Sequence, residues 1–179
     1  MSNKPRDSFV RAMKMLGEIS FAAEIGIRAG ENAIAMLDSG LKTIILVDSY
    51  PEYVEYWIES GFTQITRAMQ DEYKAQMKSA IKEYGDRAVY CNEESVKAAQ
   101  QWRDLTFDYV YIDGNHEHEA AKADIEAWWP KVRPAGILAG HDYDRKGYPG
   151  VIKAVDEFAK KAGLEAISCN DSDWMVRKP

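Results

Sequence analysis

The chain has 179 residues, of which 46% are hydrophobic and 29% charged, and its formal net charge is −6. This length suits one domain and is short for two, so we expect a single domain over residues 1–179. An acidic balance disfavours general nucleic-acid binding, which favours a basic face. No secretion signal pattern or apolar run near 18 residues is seen, and Cys91 and Cys169 lack metal-ligand spacing. The expectation is a cytoplasmic protein that binds neither nucleic acid nor a membrane.

The first half of the chain alternates apolar runs with helical patterns. Phe9, Met13 and Leu16 have helical spacing and predict a helix over residues 7–17. A second helix is predicted from about residue 32 to residue 39, and the β-branched run over residues 43–47 is typical of a buried parallel strand.

A glycine turn joins the first predicted strand, in the run that begins at Phe21, to the second helix. Gly26 and Gly30 lack Cβ atoms, which lets the backbone turn sharply and approach a ligand closely. Asp48 follows the next strand about 20 positions later, where an acid accepts hydrogen bonds from ribose hydroxyls in nucleotide-binding folds. The turn therefore indicates a nucleotide-like ligand.

The turn reads G-x-x-x-G rather than the G-x-G-x-x-G of dinucleotide binders, and Glu24 lies two residues before its first glycine. An acid followed by two glycines at this place resembles motif I of the class I S-adenosylmethionine-dependent methyltransferases. The resemblance implies that Glu24, Gly26 and Gly30 line the methionine end of the cofactor and that Asp48 contacts its ribose. Three further positions are assigned to the same cofactor site: Arg28, Ser49 and Asp113.

Residues 51–85 are longer than the dozen or so residues that a crossover between parallel strands requires. We interpret this segment as a lid or substrate wall, with a dimer face or simple packing as alternatives. Its aromatic residues are Tyr53, Tyr56, Trp57 and Phe62. A single helix stripe is predicted from Ile65, Met69, Tyr73, Met77, Ile81 and Tyr84, ending at Gly85.

A third strand is predicted over residues 87–91, followed by a helix to about residue 103. Asn92 is the expected N-cap of that helix. The resemblance places this loop beside the adenine of the cofactor, so Asn92 and Ser95 are candidate adenine contacts.

The second half of the chain continues the alternation of strands and helices. A helix carrying Ala120, Ala123 and Ala127 is predicted to stop at Pro130. The other predicted elements are strands over 107–112, 137–140, 165–168 and 174–176 and a helix over 151–162. This alternation predicts a Rossmann-like, doubly wound α/β sheet with helices on both faces. The resemblance implies seven strands, mostly parallel, with the last antiparallel.

Four polar residues follow the fourth and fifth predicted strands: Asp113, His116, His141 and Asp142. The carboxyl ends of parallel strands share one edge of a sheet, so these side chains are expected to converge. Asp113, His141 and Asp142 are candidate ligands for Mg²⁺ or another divalent metal. Alternatively, Asp113 caps the next helix and His141 is an ordinary loop residue.

The segment from the fourth to the fifth strand resembles small sugar O-methyltransferases of the macrocin type, close to the catechol O-methyltransferases. The resemblance implies that Asp113 and Asp142 bind the metal, with His141 where a third acid is common. Asn115 stands where relatives carry a carboxylate base. Either His116 takes that role, or a metal lowers the proton affinity of the acceptor without a dedicated base.

We therefore predict an S-adenosylmethionine-dependent methyltransferase that acts on the hydroxyl of a small molecule. Asp113, His116 and His141 are the predicted catalytic residues. Alternatives are a non-catalytic S-adenosylmethionine-binding module and a nicotinamide-dependent oxidoreductase, and some relatives of this type are hydroxylases. The sequence does not identify the acceptor, and it does not decide whether the chain forms a homodimer.

Overall fold

The computed structural model describes residues 4–51, 54–58, 61–143 and 147–179, without the side chains of residues 54–58 and 61–64. The strands are β1 Phe21–Ile25, β2 Thr43–Val47, β3 Val54–Ile58, β4 Gly61–Ile65, β5 Ala88–Cys91, β6 Phe107–Ile112, β7 Val132–Gly140, β8 Ile167–Ser168 and β9 Trp174–Arg177. The α-helices are α1 Asp7–Leu16, α2 Glu31–Asp38, α3 Arg67–Ile81, α4 Ser95–Gln100, α5 His118–Trp128 and α6 Pro149–Ala162. Two 3₁₀ helices cover Lys82–Arg87 and Trp129–Lys131.

Seven strands form one sheet in the order β5-β2-β1-β6-β7-β9-β8. The five strands from β5 to β7 are parallel, whereas β9 runs antiparallel to both β7 and β8. The predicted doubly wound α/β sheet with its last strand antiparallel is confirmed. Because the chain leaves β1 in one direction and returns at β6 on its other side, a crevice is expected between the carboxyl ends of these two strands.

Each face of the sheet is covered by helices, which is why β1 and β2 are almost continuously buried. Phe9 of α1, Met36 of α2 and Met77 of α3 pack on one face. Ala98 of α4 and Trp128 of α5 pack on the other, together with α6. In the part of the chain that the structure describes, no helix is long and apolar enough to cross a membrane.

The long segment after β2 differs from the single helix that was predicted. Its backbone forms an antiparallel hairpin of β3 and β4 before α3 begins. Ile65 pairs within β4 instead of starting the helix, because Thr66 caps α3 by accepting a hydrogen bond from the Met69 amide. Tyr84 lies in the 3₁₀ helix that follows. The predicted wall aromatics, Tyr53, Tyr56, Trp57 and Phe62, lie outside the described side chains.

The strand predicted over residues 137–140 begins five residues earlier, as β7. Phe107 pairs with Val132, and an irregularity separates this pair from the pairing of Tyr109 with Ile137. Ala135 in this stretch has φ of 60°. Pro134 and Gly136, residue types that are common in turns, thus lie within a bulged strand.

A buried hydrogen-bond network fixes α1 to the sheet. The Asp173 carboxylate accepts hydrogen bonds from the Ser8 amide (3.0 Å), the Ser8 hydroxyl (2.6 Å) and the Tyr111 hydroxyl (2.9 Å). The Tyr109 hydroxyl donates to Ser8 Oγ in turn (2.9 Å). This network joins the start of α1, strand β6 and the turn before β9.

We expect Asp173→Ala to lower the free energy of unfolding by about 3–5 kcal/mol, because it leaves several buried donors without an acceptor. Tyr111→Phe removes a single donor and should cost only about 1–2 kcal/mol. Urea unfolding followed by circular dichroism measures both. A loss below 1 kcal/mol in Asp173→Ala would show that the network contributes little.

Candidate active site

A cleft of about 900 Å³ opens at the carboxyl ends of β1, β2, β5 and β6. It lies where the topology predicts a crevice, between the loops that follow β1 and β6. Of the residues assigned to the cofactor from sequence, those that line it are Glu24, Gly26, Arg28, Asp48, Ser49, Ser95 and Asp113.

The loop after β1 passes very close to the loop after β6. Gly26 has φ of 80°, and a Cβ on it would lie 2.1 Å from the backbone oxygen of Asp113. Only glycine fits at such a contact. Gly30 does not line the cleft: it is the N-cap of α2, and a Cβ there would touch Met77 of α3. The absence of a side chain at Gly30 thus allows α2 to pack closely against α3.

Gly26→Ala should destabilise the fold by about 3 kcal/mol or more, because the new methyl group meets rigid backbone. Gly17→Ala is the matched control, since Gly17 has φ of 76° but open space around the added Cβ. It should cost only the 1–2 kcal/mol or so of the left-handed conformation. Thermal and urea unfolding of both variants test this prediction. Equal losses of stability in the two variants would argue against the close approach of Gly26 to the Asp113 backbone.

Glu24, the acid at the end of β1, is 2% exposed. One carboxyl oxygen accepts a hydrogen bond from Asn32 Nδ2 (2.9 Å), whereas the other has no protein partner among the described residues. Burial raises the pKa of Glu24 to about 8. The structure thus presents an incompletely paired buried carboxyl at the cleft, where a ligand donor or cation would satisfy it.

Asp48, at the end of β2, braces the glycine loop. Its carboxylate accepts hydrogen bonds from the amides of Ile27 (3.0 Å) and Tyr50 (2.8 Å). Burial raises the pKa of Asp48, although these backbone donors act in the opposite direction. The backbone of Arg28 also forms a hydrogen bond with this carboxylate, and the ribose contact stays a prediction. Arg28 is exposed at the rim, with its guanidinium 5.2 Å from the centre of the Tyr73 ring.

The prediction that Asn92 caps α4 is wrong. The helix begins at Ser95 with Glu94 as its N-cap, and Asn92 Oδ1 instead accepts hydrogen bonds from the Tyr90 hydroxyl (2.6 Å) and Lys74 Nζ (2.9 Å). Asn92 is absent from the residues that line the cleft, whereas Ser95 is among them. The helix starts later because residues 92–94 form the loop that leaves β5.

The structure brings the second group of predicted residues together beside the cleft. Asp113 and His116 line the cleft, and both also line a narrow neighbouring cavity with His141 and Asp142. His116 Nε2 lies 2.6 Å from one Asp142 carboxylate oxygen, and His141 Nδ1 lies 3.0 Å from the other. His141 Nδ1 is 3.9 Å from Asp113. Asp142 thus bridges two imidazoles.

The pKa values of the two acids in this cluster are shifted in opposite directions. Burial would raise the pKa of Asp142, but hydrogen bonds from His116 and His141 lower it below its usual range. Burial raises the pKa of Asp113 above its usual value. Burial would lower the pKa of His141, but its hydrogen bond to Asp142 and the charge of Asp113 raise it. Asp142 has φ of 61°, an uncommon conformation outside glycine that is concentrated at functional sites.

The same cluster has the composition of a divalent metal site. One ligand atom each from Asp113, His141 and Asp142 lies within 4.8 Å of the others. Two carboxylates and an imidazole suit several divalent ions, and only partial rearrangement would be needed for the three to share one. Asn115 is engaged elsewhere, since its Oδ1 accepts a hydrogen bond from the Glu117 amide (2.9 Å).

The sequence interpretation missed several polar residues that line the cleft, and Arg6 and Asp124 are two of them. Arg6, just before α1, is partly buried, and no described carboxylate lies within ion-pair distance of it. Burial would lower the pKa of Arg6, but the charges of groups such as Tyr111, Asp113 and Asp173 raise it. Asp124 lies on α5. Neither belongs to a motif, so only the packing of α1 and α5 reveals them.

Taken together, the strand order, the glycine turn at the switch point and the acids after β1 and β2 define the class I S-adenosylmethionine-dependent methyltransferase fold. A family model described as a methyltransferase domain matches residues 23–143. The chain belongs to this methyltransferase family. A search of curated proteins found no match.

Solved structures support the same fold. The O-methyltransferase NovP superposes with a TM-score of 0.67 at 17% identity, over 96% of this chain and 77% of NovP. CalS11, a calicheamicin methyltransferase, superposes with a TM-score of 0.69 at 14% identity, over 96% of this chain and 76% of the CalS11 chain. An O-methyltransferase from Bacillus cereus, solved in complex with S-adenosylhomocysteine, superposes with a TM-score of 0.65 at 14% identity. The match covers 96% of this chain and 80% of the Bacillus cereus chain.

Proposed function

We propose that this methyltransferase moves the methyl group of S-adenosylmethionine to a hydroxyl of a small molecule, with a divalent cation assisting. The observation that carries the proposal is the cluster of Asp113, His116, His141 and Asp142 beside the cleft. Methyl transfer is an in-line displacement, so the protein must align the reactants and lower the proton affinity of the acceptor.

The lining of the cleft fits the cofactor. Glu24 offers a buried carboxyl oxygen for the ammonium of the methionine end, and Arg6 is available for its carboxylate. Asp48 and Ser49 lie where the ribose is expected. A cofactor held in this way would direct its methyl group toward the edge of the sheet near Asp113.

The acidic and imidazole groups of the cluster would prepare the acceptor. Asp113, His141 and Asp142 would hold the cation, which when bound would lower the pKa of the acceptor hydroxyl and orient it. His116 faces the cleft and is oriented by Asp142, so it is the residue placed to receive the acceptor proton. Tyr148 packs against the His116 ring, with 4.4 Å between ring centres, and restricts its motion.

We assign the acceptor side of the cleft to residues 51–85, within one domain covering residues 1–179. Ile65, Gln70 and Tyr73 from this segment line the cleft. The acidic net charge supports a small-molecule partner rather than nucleic acid or membrane, and the free Cys91 and Cys169 support a cytoplasmic location. A homodimer stays open.

A transfer assay with methyl-labelled S-adenosylmethionine tests the proposal, using panels of catechols, phenols and sugar nucleotides with Mg²⁺, Mn²⁺ or EDTA. Asp113→Asn should abolish turnover and retain binding of S-adenosylhomocysteine. Asp104→Asn, an exposed acid before β6, is the control and should remain active. Activity that is unchanged by EDTA would remove the metal from the proposal, and methylation of nitrogen only would contradict the hydroxyl acceptor.

A non-catalytic S-adenosylmethionine-binding module is the second candidate. It is favoured by Asn115, whose side-chain oxygen is held by the Glu117 amide at the position where relatives are expected to carry a base. Such a module would bind S-adenosylhomocysteine but transfer no methyl group under any metal condition. The nicotinamide-dependent oxidoreductase is not supported, because the family match is to methyltransferases.

A further inference from the structure

Arg28, at the rim of the cleft, carries a positive charge that no acid neutralises. Among the described residues that line the cleft, the only arginine or lysine side chains are those of Arg6 and Arg28. No described carboxylate lies within ion-pair distance of Arg28, and this includes Glu31, which also lines the cleft. The methionine end of the cofactor has a single carboxylate, for which Arg6 is available. Arg28 is therefore left for a different anionic group.

The backbone of Arg28 is held in place from two sides. Arg28 has φ of 52°, an uncommon conformation for a residue other than glycine. The Tyr50 hydroxyl donates a hydrogen bond to the Arg28 carbonyl oxygen (2.5 Å), and the Asp48 carboxylate accepts one from the Arg28 amide. Tyr50 is itself 1% exposed. Strained backbone that the surrounding structure holds in this way is concentrated at functional sites.

The Arg28 guanidinium lies against α3. Its central carbon is 5.2 Å from the centre of the Tyr73 ring, which is within the range of a cation–π contact. Contact with a ring restricts the guanidinium and leaves N–H groups at its edge available to a planar anion. The charge of Arg28 thus lies on the side of the cleft that we assign to the acceptor.

Gln70 lies on the same side of α3, three residues before Tyr73, and it also lines the cleft. It is only 7% exposed. Its backbone amide donates to the Thr66 carbonyl oxygen, whereas its side-chain amide forms no hydrogen bond with a described residue. Burial of an amide is costly unless the group is hydrogen-bonded. A ligand group beside Gln70 would supply that hydrogen bond.

The donors of Arg28 and Gln70 suit a carboxylate. A guanidinium can bind both oxygens of a carboxylate in one plane, and the glutamine amide adds another N–H donor. The single positive charge of Arg28 balances the single negative charge of a carboxylate, whereas a phosphate group carries nearly two charges at neutral pH. A neutral polar group would leave the charge of Arg28 unpaired.

We propose that the acceptor carries a carboxylate, which Arg28 and Gln70 bind while the acceptor hydroxyl lies near Asp113 and His116. The inference rests on the proposed function, and it moves Arg28 from the cofactor, where the sequence placed it, to the acceptor. The expected substrate class is a hydroxylated carboxylic acid, such as a phenolic acid or a uronic acid. Arg28 and Gln70 are then residues that determine specificity.

The test compares compounds that differ only in the charge of one group: protocatechuate with its amide, and glucuronate with glucuronamide. Isothermal titration uses the protein saturated with S-adenosylhomocysteine, with and without Mg²⁺. The carboxylates should bind about 10-fold to 100-fold more tightly than the amides, the range for hydrogen bonds between charged groups. In Arg28→Gln this ratio should fall to near 1.

Two further variants complete the test. Gln70→Leu removes the amide without altering the glycine loop, and it should lower the ratio by about threefold to tenfold. Arg67→Gln is the matched control, because Arg67 begins α3 and pairs with Asp71 but does not line the cleft. It should keep the wild-type ratio.

If the carboxylates bind no more tightly than their amides, the inference is overturned, while binding of S-adenosylhomocysteine still supports the proposed cofactor. Tighter binding of glucose 6-phosphate than of glucuronate would overturn the assignment to a carboxylate. If Arg28→Gln weakens S-adenosylhomocysteine binding and leaves the ratio unchanged, Arg28 belongs to the cofactor site and the inference fails. If the wild-type protein does not bind S-adenosylhomocysteine, the proposed function and this inference both fail.

Discussion

Binding of S-adenosylhomocysteine should tighten by about tenfold for each pH unit between pH 6 and pH 8, and Glu24→Gln should abolish this dependence. Burial raises the pKa of Glu24 to about 8, so the free protein carries this carboxyl largely protonated below that pH. The ammonium of the ligand favours the ionised form, because an opposite charge at close range lowers a carboxyl pKa. Binding must therefore release about one proton from Glu24.

Titration calorimetry in buffers with different ionisation enthalpies measures both the affinity and the proton release. Glu24→Gln should bind more weakly at pH 8 and show little change with pH. Asp104→Asn serves as the control, because Asp104 is an exposed acid that does not line the cleft. Wild-type affinity that is flat between pH 6 and pH 8 would show that Glu24 does not pair with the ligand ammonium.

The same carboxyl group should make the ligand-free protein less stable as pH rises. The folded-state pKa of about 8 lies above the ordinary glutamate value of 4.5, so the folded state holds the proton more tightly than the unfolded state. The contribution of Glu24 to stability is complete below pH 4.5 and is lost as pH rises towards 8, by at most about 5 kcal/mol. In Glu24→Gln, the free energy of unfolding from urea titrations should change less over this range.

The second large effect is expected at His116. His116→Gln should lower kcat by about 10²-fold to 10⁴-fold, the usual contribution of a positioned proton acceptor, and should leave S-adenosylhomocysteine affinity unchanged. Its Nε2 lies 2.6 Å from Asp142, which orients the ring. Methyl-transfer rates at saturating substrates measure the effect, once an acceptor has been found.

Two comparisons separate the proton acceptor from the metal ligands. His141→Ala should weaken Mn²⁺ binding by at least about tenfold, whereas His116→Gln should leave it unchanged. His118→Gln is the matched control, because His118 lies only two residues after His116, at the start of α5. Its ring nitrogens form hydrogen bonds with Glu119 and Glu157, and it does not line the cleft. Wild-type kcat in His116→Gln would eliminate the residue as the base.

Much of the fold was predictable because its signals are local. Uniformly apolar, β-branched strands such as residues 43–47 indicate burial on both faces, and glycine at position 26 indicates a turn. The β3–β4 hairpin was missed because helical spacing continued backward from α3 to Ile65, where strand pairing prevailed. Asn92 was misassigned because its side chain, in the fold, is held by Tyr90 and Lys74.

The sequence by itself determined which polar residues end the strands, and parallel strands place such residues along one edge. That was enough to predict a cofactor crevice from Glu24 and Gly26 and to group Asp113 with Asp142. Only the tertiary structure decided how these groups are charged and paired, because burial and distance depend on elements far apart in the chain. Burial sets the protonation of Glu24, and the approach of the loops after β6 and β7 makes Asp142 bridge its two histidines.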